Sequence, residues 1–137
     1  MANVDFSTTK SKVLFGDDSA VIIRHFADIN GGRALDVADW ALDYIPAGTI
    51  ITVADGVYKP LAIKAGEGEG NFVYDTVAEG TKFAGVLYRS ISKNLPAASI
   101  LTWGIVNKAI APFGLTEEII AAVNKDVPHI EFTKADE

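Results

Sequence analysis

Two histidines, His25 and His129, are the side chains in this sequence best suited to acid–base or metal chemistry near neutral pH. His129 precedes Glu131 by two positions, and such a pair supplies two metal ligands on one strand face. A zinc site uses about three or four protein ligands, and no further cluster is visible in the sequence. His25 lies in the apolar run "IIRHF", where a structural or surface histidine is more common than a catalytic one. We therefore predict no metal site and no catalytic histidine.

Acidic residues cluster in two places, and neither cluster has the spacing of a known site. Asp36, Asp39 and Asp43 could serve acid–base chemistry or bind calcium, but apolar residues interleave with them and a calcium-loop pattern is absent. The stretch "AGEGEGNF", residues 65–72, lacks the Gly-Lys-Ser/Thr ending of a phosphate-binding loop, and its glutamates would repel phosphate. Both clusters are predicted to be solvated turns.

Nucleophilic catalysis has no support in the sequence. There is no cysteine, no Gly-x-Ser-x-Gly element, and no histidine close in sequence to Ser90, Ser92 or Ser99. We expect a protein that is not an enzyme and that uses no cofactor.

Composition limits the partners of the protein. The chain has 137 residues, 49% of them hydrophobic, which is enough for one sizeable core. Its 12 basic and 18 acidic residues give a net charge of -6 without a basic run, so nucleic acid is not an expected partner. No apolar run approaches the roughly 20 residues that span a bilayer, so no membrane is expected. The N-terminal residues lack the pattern of a secretory signal, and cysteine is absent, so we expect synthesis in the cytoplasm.

The hydrophobic pattern predicts a mainly β domain over residues 12–137, after a flexible N-terminal arm over residues 1–11. Strand patterns occur at residues 21–26, 34–37, 49–53, 57–59, 82–91, 100–106 and 129–132. Turns are predicted at residues 46–48 and at Asp55-Gly56, and a Gly/Glu loop over residues 64–75. The segment "TEEIIAAVNK" predicts a helix with Thr116 as its N-cap.

The segment "KNLPAASILTWGIVNKAIAP", residues 93–112, contains the most apolar strand pattern. Residues 100–106 are apolar at successive positions, which is typical of a strand covered on both faces. Gly104 would allow another backbone to pass close by, and Asn107 would hydrogen-bond a turn. Trp103 and Trp40 are anchors of either a core or an interface, and the sequence leaves that choice open.

Several motifs, taken in order, resemble those of the lambda-type phage head decoration family. "YIPAGTIITVADGVYKPLA" contains a Pro-Ala-Gly-Thr turn with Gly48 and a Gly-x-Tyr-x-Pro element from Gly56 to Pro60. "GTKFAGVLYRSI" is similar to the Gly-(Val/Ile)-Leu strand of that family. "LPAASILTWGIVNKAIAP" matches at Pro96, Ala97, Gly104, Val106 and Asn107. The related phage head fibre proteins share the later helix and the Ile130-x-Phe132 ending, so that the resemblance spans residues 45–132.

The resemblance implies a structural virion protein without enzymatic activity. The fold would be a compact β-tulip or β-clip-like small barrel with one or two short helices. The protein would bind the major capsid protein on the outer capsid surface as a homotrimer at three-fold positions and stabilise the capsid. Its arm would add as a strand to the capsid through Val4, Phe6, Thr8 and Thr9. Trp103, then Trp40, and also Asn107 would make the oligomer or capsid contacts. The apolar segment 17–40 is longer than the family pattern, and no fibre shaft follows Phe132.

Two other classes of function stay open on the sequence. A β-rich carbohydrate-binding module would use Trp40, Trp103 and tyrosines as stacking platforms, with aspartates as polar contacts. A small hydrolase would need a site assembled in space from a histidine and a carboxylate or serine.

Overall fold

The computed structural model describes residues 18–29, 31–68 and 70–133. Over these residues the protein is mainly β, as the sequence predicts. The described residues contain two helices, α1 (Asp18–Val21) and α2 (Glu117–Asp126). The strands are β1 (Ile22–Asp28), β2 (Arg33–Ala34), β3 (Tyr44–Ile45), β4 (Ile50–Ala54), β5 (Val57–Pro60), β6 (Ile63–Ala65), β7 (Phe72–Tyr74), β8 (Lys82–Leu87), β9 (Ile91–Ser92), β10 (Ala97–Ala98), β11 (Ile100–Asn107) and β12 (Ile130–Thr133).

A six-stranded sheet organises the fold. Its strand order is β1-β11-β8-β4-β5, and β12 pairs in parallel with the second half of β11. The other pairings in this sheet are antiparallel. The strand β11 is therefore the centre of the sheet, with β1 on one side and β8 and β12 on the other.

The middle of the sheet is covered on both faces, because neighbouring residues of one strand point to opposite sides. On one face, Ile50, Val86 and Leu101 lie side by side on three strands and pack in a core with Val123 of α2. On the opposite face, residues of the same strands pack in a second core: Ile51, Leu87 and Ile100, together with Leu35, Trp40, Ile45 and Ala98.

The predicted covering of β11 on both faces is confirmed at its ends and wrong at its centre. Ile100, Leu101 and Val106 are fully buried, whereas the Trp103 side chain is about half exposed. Trp103 lies between the part of β11 that pairs with β8, at Ile100 and Leu101, and the part that pairs with β12, from Gly104 onward, and it belongs to neither core.

The predicted small barrel is not formed by the described strands. The six-stranded sheet is open, and three short two-stranded sheets pair β10 with β2, β3 with β9, and β6 with β7. The hairpin of β6 and β7 overlaps the predicted Gly/Glu loop, so that residues 64–65 and 72–74 of that loop are in strands.

Several local predictions are confirmed by backbone geometry. Asp55 and Gly56 both have positive φ, 50° and 79°, which is the conformation of the tight turn that joins β4 to β5. The Thr116 hydroxyl accepts a hydrogen bond from the Ile119 amide at 3.2 Å and caps α2. The strand predicted over 82–91 contains a bulge beside Gly85, but it ends at Leu87, and residues 91–92 form β9 instead.

The other turn residues singled out in the sequence lie where strands meet. Gly48 has φ 93°, and its amide donates to the Leu87 carbonyl at 2.8 Å. A Cβ at Gly48 would lie 2.9 Å from Cδ of Pro112, so the turn has no space for a side chain. Pro60 is buried at the end of β5 opposite Ile51. The Pro96 carbonyl accepts from the Leu35 amide at 2.9 Å and joins the two segments.

Candidate functional site

Two large aromatic side chains lie next to each other on the surface, one on β1 and one on the paired strand β11. Phe26 is 55% exposed and Trp103 is 53% exposed, and their ring centroids are 5.2 Å apart with an angle of 40° between the planes. We call this pair the aromatic platform. Exposed neighbouring rings of this size cost free energy in water and commonly mark a binding surface.

A bulge in β1 directs Phe26 to this position. His25 pairs with Gly104 and Ala27 pairs with Trp103, so Phe26 is an extra residue on the β1 side of the ladder. A bulge of this kind bends a strand and re-aims one side chain. The register shifts at two further places in β1, so this strand follows β11 irregularly along most of its length.

Gly104 holds the two strands close together beneath the platform. A Cβ at this position would overlap the Arg24 carbonyl oxygen and would lie 3.0 Å from both methyl carbons of Leu101. The prediction that Gly104 permits a close backbone approach is therefore confirmed. The Gly104 amide also donates to the His129 carbonyl at 3.3 Å, which fixes the start of β12 beside the platform.

His129 borders the aromatic platform, whereas His25 pairs with Gly104 and lies on the opposite face of the sheet. The His129 ring centroid is 6.2 Å from that of Trp103. His25, next to Phe26, has its Nε2 3.0 Å from Oδ2 of Asp28, and its ring centroid is 4.4 Å from that of Tyr88.

Trp40 has the opposite environment. It is 5% exposed, its indole N–H donates to the Tyr44 carbonyl at 2.8 Å, and its ring meets that of Phe113 edge-on at 5.6 Å. Lys93 Nζ donates to the Trp40 carbonyl at 2.6 Å. The expectation that Trp40 is a second surface contact is corrected, because the residue fills the core of the monomer and leaves a partner almost no area.

Asn107 is also an internal residue, at 6% exposure. Its Oδ1 accepts from the Ala109 amide at 3.0 Å, and its backbone carbonyl accepts from the Ala111 amide at 3.1 Å. The prediction that it fixes the turn after the strand is confirmed. A contact with a partner through this side chain is not compatible with the small area that it exposes.

Among the residues that the structure describes, the acidic side chains do not converge on a metal site. Asp36, Asp39 and Asp43 are exposed, and Oδ1 of Asp36 accepts from the Ala38 amide at 3.2 Å in a local turn. Within the described ranges, no group of three or more metal-binding side chains comes together. No helix in those ranges is long and apolar enough to cross a membrane.

A cleft of about 690 Å³ lies between residues 75–82 and α2. Its lining includes positively charged lysines and negatively charged carboxylates, and Lys64 Nζ is 4.0 Å from Oδ1 of Asp75. The Tyr74 ring forms part of its wall, but its hydroxyl oxygen accepts from the Ile50 amide at 2.9 Å and belongs to the core. The cleft is open and its exposed charges are mixed, so nothing in it selects one ligand chemistry.

The sequence analysis identified Trp103 but missed Phe26. The available signal was the alternation of β1, in which Phe26 follows the charged Arg24 by two positions and so shares its exposed face. The predicted arm residues Val4, Phe6, Thr8 and Thr9 lie outside the described residues.

Comparison with protein-family models, curated proteins and solved structures finds no significant match to this chain.

Proposed function

We propose that this protein is an auxiliary head decoration protein, which binds the outer surface of a phage capsid and stabilises it, with the aromatic platform as a principal contact. The exposure of Phe26 and Trp103 is the observation that carries this proposal. The ordered motifs of residues 45–132 and the mainly β fold also support it. The partners would be the major capsid protein and two further copies of the chain, arranged around a three-fold position.

The platform has the physical properties of a protein–protein anchor. Tryptophan and phenylalanine are enriched in the buried centres of interfaces, where one such residue contributes a large share of the binding energy. The bulge at Phe26 and the close approach at Gly104 hold both rings on a sheet and not on a loop. Little conformational entropy would therefore be lost when a partner covers them.

A carbohydrate-binding module is the second candidate, and one observation favours it: an exposed Trp103 ring could stack on a sugar. The burial of Trp40 removes the second stacking platform that this hypothesis requires. Tyr44, beside Asp43, is exposed at 37% and is the ring next to these aspartates on which a sugar could still stack. A titration with a sugar panel, followed by tryptophan fluorescence, tests this candidate directly.

Co-sedimentation with capsids of the phage that encodes the protein tests the proposed function. We expect saturable binding to expanded capsids and none to unexpanded capsids. Trp103→Ala and Phe26→Ala should each weaken binding at least about tenfold, as expected for an interface anchor. Leu95→Ala is the matched control, because Leu95 is 73% exposed and lies in the turn between β9 and β10, which pair with β3 and β2 and not with β1 or β11.

Two results would contradict the proposal in different ways. Absence of binding to both forms of the capsid would exclude the decoration role. Normal binding by both platform variants would exclude the platform as the contact while leaving the decoration role intact. A variant that lacks residues 1–11 tests separately whether the N-terminal segment contributes to anchoring.

A further inference from the structure

One face of the sheet is uncovered around the aromatic platform. Trp103 and Ile105 are two positions apart in β11, so their side chains point to the same face. Ile105 pairs with Arg24 of β1 on one side and with Glu131 of β12 on the other, and paired residues share a face. None of these four residues belongs to either core. We call this surface the open face, and it consists of Arg24, Phe26, Trp103, Ile105, His129 and Glu131.

The opposite face of the same three strands is closed. Val106 and its β12 partner Phe132 point to that side and pack in the core that contains Val123 of α2. The strands β1, β11 and β12 therefore form a sheet with one dry face and one wet face, and the wet face carries two large aromatic rings. A surface with this apolar content is stabilised when another surface covers it.

The open face also carries two opposite charges at a fixed separation. Arg24 and Glu131 lie in one row on either side of Ile105. Since neighbouring strands are about 4.8 Å apart, the backbones of the two charged residues are about 10 Å apart. Both side chains are exposed, and among the residues that the structure describes neither has an ion-pair partner. The order across the three strands is thus positive, apolar, negative.

We propose that a second copy of this chain covers the open face, so that the free protein forms a weak two-fold dimer through the aromatic platform. A two-fold axis that lies between the two faces and runs parallel to β11 reverses the order of the row in the other copy. Arg24 of each copy then faces Glu131 of the other, and Ile105 faces Ile105. A two-fold axis across the strands would instead place like charges opposite each other, so the charges select the first arrangement.

The aromatic rings fit the same arrangement. Phe26 lies beside Trp103 on the β1 side, and His129 lies beside it on the β12 side. The same axis brings Trp103 against Trp103 and Phe26 against His129 of the other copy. Sheets that pack face to face are about 10 Å apart, which leaves room for such side chains to interdigitate. Three strands make a face only about 14 Å wide. The contact is therefore small, and we expect a dissociation constant on the order of tens of micromolar.

This inference goes beyond the proposed function and does not depend on it, because the contact joins two free copies of the chain. Around a three-fold position, two different surfaces of neighbouring copies meet, whereas a two-fold contact joins one surface to itself. The dimer covers the aromatic platform and must open before the platform contacts a capsid. Dimerisation would therefore compete with capsid binding at high protein concentration.

The first measurement is the molar mass of the full-length protein at increasing concentration, by sedimentation equilibrium. We expect the mass to rise from that of a monomer to that of a dimer. In ¹H–¹⁵N spectra over the same range, the indole N–H signal of Trp103 should shift and that of the buried Trp40 should stay in place. Trp103→Ala should abolish the rise in mass, and the control Leu95→Ala should retain it. A monomer at every concentration, or a mass that rises to that of a trimer, would overturn the inference and leave the proposed function intact.

Charge reversal tests the arrangement of the two copies. Arg24→Glu and Glu131→Arg should each weaken dimerisation at least about tenfold, because like charges then face each other. The double variant Arg24→Glu/Glu131→Arg should dimerise again, since both charges of the row are reversed together. An equimolar mixture of the two single variants should form a heterodimer, because every charge of one copy then faces an opposite charge of the other. A mixture that stays monomeric, or a double variant as weak as the single ones, would overturn the two-fold arrangement.

Discussion

The two tryptophans of the chain occupy opposite environments. Trp40 is closed in the core by Phe113, and its N–H group has a backbone partner. Trp103 shares the surface with Phe26 and His129 and is about ten times more exposed, at 53% against 5%. The same residue type therefore serves stability at one site and is available for recognition at the other.

The difference follows from local backbone geometry and not from the residue type. Trp40 lies in a loop that folds back on the sheet, where Ile45, Leu87 and Ile100 form a continuous apolar surface. Trp103 lies in the central strand, but at a point where β1 is bulged. A central strand is normally the most buried part of a sheet, so exposure at its middle is the feature that most directly suggests a function.

The largest expected effect is on the free energy of unfolding, which should fall much more when Trp40 is replaced than when Trp103 is replaced. Trp40→Ala should lower the free energy of unfolding by about 3–5 kcal/mol, the usual cost of removing a buried aromatic ring. Trp103→Ala should lower it by about 1 kcal/mol, because only about half of the ring is buried. Denaturant unfolding followed by circular dichroism gives both values.

Capsid binding should rank the same two variants in the opposite order. Folded Trp40→Ala protein, measured well below its unfolding transition, should keep most of its affinity, whereas Trp103→Ala should lose it. If Trp103→Ala were the more destabilised variant and bound capsids normally, Trp103 would be a structural residue and the comparison would fail.

The sequence predicted the regular parts of this fold well. Alternation and β-branching located the hairpin of β4 and β5, and the tight Asp55-Gly56 turn was predicted from its residue types. The N-cap Thr116 and the apolar positions of α2 were equally readable, since helix ends have strong local signals.

The parts that could not be predicted depend on contacts between distant segments. Whether β11 was covered at Trp103 depended on the path of β1, which is set by a bulge with no sequence signal of its own. The burial of Trp40 depended on Phe113, more than 70 residues later in the chain. The same limit explains the prediction of a barrel, because closure of a sheet is decided by long-range pairing and not by strand pattern.

A smaller effect is expected at Gly104, which tests whether the backbone holds the platform. Gly104→Ala should lower the free energy of unfolding by up to about 3 kcal/mol, because the new Cβ would overlap the Arg24 carbonyl and force β1 away from β11. The platform should be disturbed as well, with a change in the Trp103 indole signal. Gly66→Ala is the matched control: its backbone is not left-handed, and the nearest atom, Cγ1 of Val73 at 3.1 Å, belongs to a side chain that can move. Equal effects of the two substitutions would contradict the packing argument.

Tyr74 provides a test in the buried region around Trp40, because both rings contact Phe113. Its hydroxyl accepts from the buried Ile50 amide, and its ring meets that of Phe113. Tyr74→Phe leaves the amide without this partner and should lower the free energy of unfolding by about 1–2 kcal/mol. The indole signal of Trp103 should not change, since the lost hydrogen bond lies in the core.

The same tyrosine predicts a loss of stability in alkali. Burial raises the pKa of the Tyr74 phenol above its usual value, because the ionised form would lose its water. The unfolded chain releases this proton near pH 10, while the folded chain retains it to higher pH. The contribution of the neutral phenol is thus complete below about pH 10 and is lost progressively above it. Unfolding measured between pH 8 and pH 11 should show a smaller alkaline decline in Tyr74→Phe than in the unmodified protein, and equal declines would contradict this assignment.

The smallest effect is expected at Thr116, which belongs to neither tryptophan region. Thr116→Ala removes the cap of α2 and should lower the free energy of unfolding by about 1 kcal/mol, whereas Thr116→Ser should retain most of it. This loss is similar to the one expected for Trp103→Ala, so the two variants form a pair matched in stability. If Thr116→Ala weakened capsid binding as much as Trp103→Ala, general destabilisation would explain both results. Normal binding by Thr116→Ala beside weak binding by Trp103→Ala would instead assign the loss to the exposed ring itself.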